Sequence, residues 1–189
     1  MRTAQHTALP AERLLDAAAA LFDREGIRAV GIERLISEAD VARASLYQNF
    51  GSKDGLVAAW LRRQDQLDRA GFARATRGSA PADRIRAVFE LAATGARRRR
   101  YRGCLYVNAL TEFPDPHHPV HQAVAEHREW LRRELHETLQ EAGAPDPAAL
   151  AERIQLLYDG GLVGTKAAHT ARPVQLAAEM AVELLTPRG

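Results

Sequence analysis

Cysteine is nearly absent from this chain: Cys104 is the only one in 189 residues. No disulfide can close within the chain, and no multi-cysteine metal site can form. Cys104 itself reads as either a lone nucleophile or a small half-buried thiol, the second being the usual fate of a free cysteine. Long apolar runs are missing too. Nothing approaches the ~18 consecutive apolar residues of a spanning helix, and the N-terminus shows no apolar stretch with a cleavage site. A cytoplasmic protein without a membrane partner is expected. Lysine occurs only as Lys53 and Lys166, so the positive charge is carried by arginine. Strand signals are equally scarce, with no sustained alternation and no Asn-Gly or Asp-Gly hairpin between β-branched runs. No nucleophile stands with an evident base and orienting group, so enzymatic activity and a cofactor are not expected.

What the chain does contain is helical periodicity from end to end. A first helix starts near Thr7 to Pro10 and stops at Gly26, with Leu14, Leu15, Ala18, Leu21 and Phe22 as its inward stripe. Ile32, Leu35, Ile36 and Ala39 predict a second helix over 32–39, and a third follows at 42–49. Ser52 is placed to cap a fourth, with Asp54 near the positive end of its dipole. That helix fades around Gly71 to Ala80. Further helices are expected from Pro81 to the arginine run 97–100, over 119–142, 147–169 and 174–185, with a short apolar segment at 103–113. The fold class is all-α, with about nine helices. Its divisions are a three-helix unit at 1–52, a connecting fourth helix at 53–70, and a helical domain at 71–189.

The first three helices have the proportions of a helix-turn-helix. Leu35, Ile36, Val41, Leu46 and Phe50 can lock the third helix onto the others, leaving its opposite face for a DNA groove. Arg43 can read guanine bidentately, Gln48 or Asn49 can read adenine, and Ser45 suits base or phosphate. Tyr47 and Lys53 are better matched to phosphate, where they set register without reading sequence. An ordinary helical hairpin with a wet polar face would show a similar pattern. So would a dimerisation protein whose reading head no longer binds DNA. Charge is uneven: residues 1–56 carry −1, residues 57–103 carry +8 and residues 104–189 carry −5. Phosphate attraction must therefore come from a few placed side chains, helix N-termini and the basic segment that follows.

The run Ile32, Leu35, Ile36, Ala39, Asp40, Val41, Ala42, Ala44, Ser45, Leu46, Tyr47, Asn49, Phe50, Ser52, Lys53, Asp54, Gly55 and Leu56 resembles the TetR family of transcriptional regulators. The resemblance covers roughly residues 10–60 and includes the Leu-Tyr dipeptide and the Ser-Lys-Asp start of the fourth helix. It implies a homodimeric regulator, most simply a repressor, whose recognition helices enter successive major grooves of a palindromic double-stranded operator. It also implies a small-molecule effector held in the C-terminal domain. DNA contacts are then expected from Arg43, Ala44, Ser45, Tyr47, Gln48, Asn49 and Lys53, with Arg28 in support. Two departures stand out. Family members usually carry Gly where Asp40 stands, and often a hydroxyl residue at the positions of Gly31 and Ala42. Side-chain caps and phosphate contacts at those two positions are expected to be missing.

In the C-terminal domain, Phe89, Tyr106, Asn108, Glu112, His127, Trp130 and Tyr158 are the candidate effector contacts, being polar or aromatic groups on apolar helices. Each could equally be a satisfied core or surface residue. Gly160, Gly164 and Ala168 recur on one helical face, which suggests close approach of a partner helix or a small-residue wall to a cavity. The last helix is apolar around much of its circumference and should be buried on more than one side. The RRRRYR run at 97–102 could meet an anionic effector or DNA phosphate, or simply end its helix in solvent. His117, His118 and His121 with Glu112 form the one metal-like grouping, but two prolines interrupt it and no metalloprotease pattern accompanies it. No metal is expected.

Overall fold

The computed structural model describes residues 9–96 and 101–185, which form nine α-helices without a strand among the described residues. They are α1 (Pro10–Glu25), α2 (Ile32–Ala39), α3 (Arg43–Phe50), α4 (Lys53–Ala75), α5 (Pro81–Ala96), α6 (Leu105–Glu112), α7 (Pro119–Glu141), α8 (Pro147–Ala168) and α9 (Arg172–Glu183). The arginine run 97–100 lies outside the described residues. Internal contacts divide the chain into two compact units, Met1–Asp65 with Leu105–Ala125 and Gln66–Cys104 with Glu126–Gly189. The segment Leu105–Ala125 therefore falls with the N-terminal helices, not with the rest of 71–189 as expected from sequence order.

In the first unit, α1 turns its apolar stripe inward. Leu14, Ala18 and Leu21 are fully buried, beside Val30, Leu35, Leu46, Leu56 and Leu61. Phe22 meets Trp60 edge-on, with ring centroids 5.2 Å apart, a geometry worth about 0.5–1.5 kcal/mol beyond the area it buries. Pro10 opens α1, where its missing N–H costs nothing. Gly26, at a φ of 91°, ends it by donating its N–H to the Phe22 carbonyl. α2 ends at Asp40, which adopts the left-handed conformation with a φ of 50°. A non-glycine residue pays about 1 kcal/mol for that conformation. Here the Arg13 guanidinium holds it, donating to the Asp40 carbonyl at 2.5 Å and to its carboxylate at 2.8 Å. Gly31 and Ala42 cap α2 and α3 without any side-chain hydrogen bond, as the missing hydroxyls imply.

In the second unit, Ile85, Phe89, Leu135, Leu139, Ile154, Val174 and Ala181 form the centre of the core. Asp146 caps α8 by accepting from the Ala149 N–H at 3.0 Å. The small residues of α8 turn out to serve packing inside the chain. A Cβ on Gly161 would lie 2.9 Å from the Ala177 Cβ, and one on Gly164 the same distance from the Pro173 Cβ, so α9 rides directly on these two glycines. Gly160 faces open space. The expectation that Gly160, Gly164 and Ala168 act as one set is corrected accordingly: Gly164 is taken up by α9, and Gly161 was overlooked.

Candidate nucleic-acid interface

α3 is eight residues long and is pinned by Leu46, which is fully buried. Around that pin Arg43, Ala44, Tyr47, Gln48 and Asn49 are exposed and Ser45 is half-buried. The turn before it is closed by the Val41 N–H on the Ile36 carbonyl, and Gly51 ends it with a positive φ of 72°. Ser52 then caps α4, its hydroxyl accepting from the Gly55 N–H at 3.0 Å. Gly55 is required there, because a Cβ would stand 2.0 Å from the Phe50 carbonyl oxygen.

Several of the expected DNA contacts have partners within the chain. Arg43 pairs with Glu33, an exposed acid in the first turn of α2. Asn49 donates from its side chain to the Ser45 carbonyl at 2.7 Å, one turn back on its own helix. Lys53, expected on phosphate, donates to the Ile27 carbonyl at 2.7 Å. Burial pushes its ammonium below the ordinary lysine value, against the pull of Asp54 and Glu112.

The same loop is held from α6. Glu112 accepts from the Ile27 N–H at 3.3 Å and the Arg28 N–H at 2.6 Å. The Arg28 guanidinium lies 5.5 Å from the centre of the Phe113 ring, which stacks on His118 at 4.7 Å. His118 in turn contacts the Asp54 carboxylate through Nε2 at 3.1 Å and accepts from the Val120 N–H through Nδ1. That acceptor role puts the proton of the neutral ring on Nε2, facing Asp54. Glu112 was expected to line an effector site. Its carboxylate here accepts from two backbone donors. The sequence did hold half of this signal. Loop amides such as those of Ile27 and Arg28 need acceptors once they are shielded from water, but nothing local identifies one 84 residues away.

The remaining effector candidates are divided between the two units. Tyr106 and Asn108 share α6 with Glu112, in the first unit. In the second unit, Phe89 meets Tyr158 edge-on at 5.6 Å and lines a groove of about 720 Å³ beside α9. Trp130 lines a separate groove of about 510 Å³, between Phe72 at 5.8 Å and the buried His127 at 5.6 Å. Its indole N–H donates to Glu134, and the Arg69 guanidinium sits 5.3 Å from its ring centre. Burial raises the Tyr158 phenol well above its ordinary value and pushes the Tyr101 phenol up to about 12.

The chain shares these features with known proteins. Residues 14–60 match the bacterial regulatory proteins of the tetR family, and residues 81–181 match the tetracyclin repressor-like C-terminal domain. A crystal structure of SCO4454, a TetR-family transcriptional regulator from Streptomyces coelicolor, is 35% identical, with a TM-score of 0.84 over 94% of this chain and 97% of that one. The HTH-type transcriptional regulator YjdC of Escherichia coli (strain K12) is 25% identical over 185 residues, covering 92% of each chain. At 22% identity, the regulatory protein TetR from Rhodobacter sphaeroides shares the fold, with a TM-score of 0.79 over 93% of this chain and 98% of that one. Among the described residues no helix is long and apolar enough to cross a membrane. An exposed polar rim on a locked second helix and a match spanning both domains lead to one assignment: the chain belongs to the TetR family and is a DNA-binding transcriptional regulator.

Proposed function

We propose that the protein is a homodimeric repressor, with α3 of each copy in successive major grooves of a palindromic operator. Release follows when a small-molecule effector occupies the unit formed by Gln66–Cys104 and Glu126–Gly189. The observation that carries this reading is the outer face of α3, where polar side chains stand exposed around the buried Leu46. Half-sites of such a dimer lie about 34 Å apart, so an effector that changes the spacing of the two reading heads lowers affinity without touching DNA. For the effector, the aromatic clusters around Phe89 with Tyr158 and around Trp130 with His127 are the supported positions.

The reading head is tested by selecting bound duplexes from a random pool with the parent protein, then comparing variants on the selected and scrambled sequences. Arg43→Ala is expected to lose about 1–3 kcal/mol of preference at particular base pairs. Tyr47→Phe is expected to weaken binding to all sequences alike. A binding profile unchanged in the Arg43 variant would overturn the assignment of α3 as the reading element.

A further inference from the structure

The acids of the reading head are not scattered. Asp40 is held by Arg13 and Glu38 lies in an ion pair with Arg34, but Glu33 is directed at Arg43, the only charged side chain of α3. Both members of this pair are exposed, with 59% of the Arg43 side chain and 69% of the Glu33 side chain accessible. Their helix positions explain the pairing. Glu33 lies in the first turn of α2, where the dipole favours an anion, and Arg43 is the first residue of α3, where the same dipole disfavours a cation. Arg43 needs a counter-charge at that position, and Glu33 supplies it.

We infer that Glu33 is a specificity-determining residue, which holds Arg43 off the phosphate backbone while leaving it able to read a base. This rests on the reading of α3 as the DNA-contacting helix. A guanidinium has five N–H donors in a planar fork, so one edge can stay on a carboxylate while another meets guanine O6 and N7. Moving Arg43 to a phosphate is different. It breaks the pair or brings the Glu33 carboxylate against the phosphate charge. A neutral pair also displaces no counterions, so Arg43 contributes nothing to sequence-independent binding while Glu33 is present. Glu33 thus suppresses binding to the wrong sequence more than binding to the right one, an effect built on like-charge rejection.

The test measures affinity against salt concentration for the parent, Glu33→Gln, Arg43→Ala and the double variant. Each is offered a duplex selected by the parent from a random pool and a scrambled duplex of equal length. Circular dichroism checks that each variant is folded. Glu33→Gln is expected to bind scrambled DNA about threefold to tenfold more tightly, with a log–log salt slope steeper by about 0.9, the release expected from one more phosphate contact. Affinity for the selected duplex is expected to change less, so discrimination falls. On the Arg43→Ala background the same substitution is expected to have no such effect. If the parent discriminates but Glu33→Gln keeps the same ratio and slope, the inference fails and the DNA-reading role of α3 stands. A gain of the same size without Arg43 also overturns it, since Glu33 would then act as a bare charge. If the parent binds no duplex at low salt, the reading of α3 itself fails.

Discussion

At residue scale, Glu112 is one side chain that serves two successive backbone amides of the α1–α2 loop. Its carboxylate oxygens take the N–H groups of Ile27 and Arg28, just past the glycine that ends α1. A glutamine in its place offers one acceptor oxygen and turns an N–H₂ donor toward a backbone donor. Losing a charged acceptor from one part-buried and one exposed amide costs about 1–2 kcal/mol. Glu112→Gln is therefore expected to lower the denaturant midpoint, and Glu112→Asp, with its shorter reach, to recover part of it. Equal stability of Glu112→Gln and the parent in urea unfolding would show that the two amides are satisfied by solvent instead. Lys53 belongs to the same small system, since it donates to the carbonyl of Ile27. Its ammonium and the Glu112 carboxylate clamp one residue from both its polar sides.

At the scale of elements, the joint between α3 and α4 is the least tolerant point of the reading head. A methyl group at Gly55 would overlap the Phe50 carbonyl oxygen, and backbone cannot step aside as a flexible side chain would. Gly55→Ala must shift the end of α3 relative to the start of α4, at a cost of about 1–3 kcal/mol or more. The expected result is reduced stability together with weaker binding to every duplex. Binding at parental strength by the Gly55→Ala variant would refute the claim that this joint aims α3. Helices such as this were legible because their signals are local. α2 occupies 32–39 as its apolar spacing predicts, and Ser52 caps α4 as expected. α4 ends at Ala75, inside the expected fade from Gly71 to Ala80, and it passes Gly71 because one interior glycine costs only about 1 kcal/mol and Phe72 is buried beyond it. What the sequence could not reveal were pairings between distant segments. Arg13 with Asp40, Arg43 with Glu33 and Glu112 with the α1–α2 loop each join residues with no periodic relation. The Glu112 contact escaped notice for a related reason: a polar residue on an apolar helix looks the same whether it lines a cavity or holds a distant loop.

For the whole molecule, the proposed dimer needs a surface, and α8 and α9 leave one uncovered. Leu156 and Val163 on α8 are 70% and 55% exposed, and Leu176 and Met180 on α9 are each 44% exposed. Gly160 stands between the first two, with open space where a side chain would project. The inner faces of both helices are already consumed, α9 by its close packing on Gly161 and Gly164, and these outer side chains stay exposed among the described residues. Burying a large aliphatic side chain contributes about 1.5–3 kcal/mol, and a twofold axis repeats each contact. Four such residues per chain are enough to decide association. Placing a carboxylate at Leu156 and another at Met180 should abolish it, since buried unpaired charges cost several kcal/mol each. Sedimentation equilibrium is expected to give twice the chain mass of 20.8 kDa for the parent and the single mass for Leu156→Glu/Met180→Glu. The same variant should still contact one half-site weakly but lose its dependence on half-site spacing, because nothing then fixes the distance between two copies of α3. A parent that sediments at the single mass would refute the dimer, and a double variant that stays paired would move its seam off this face.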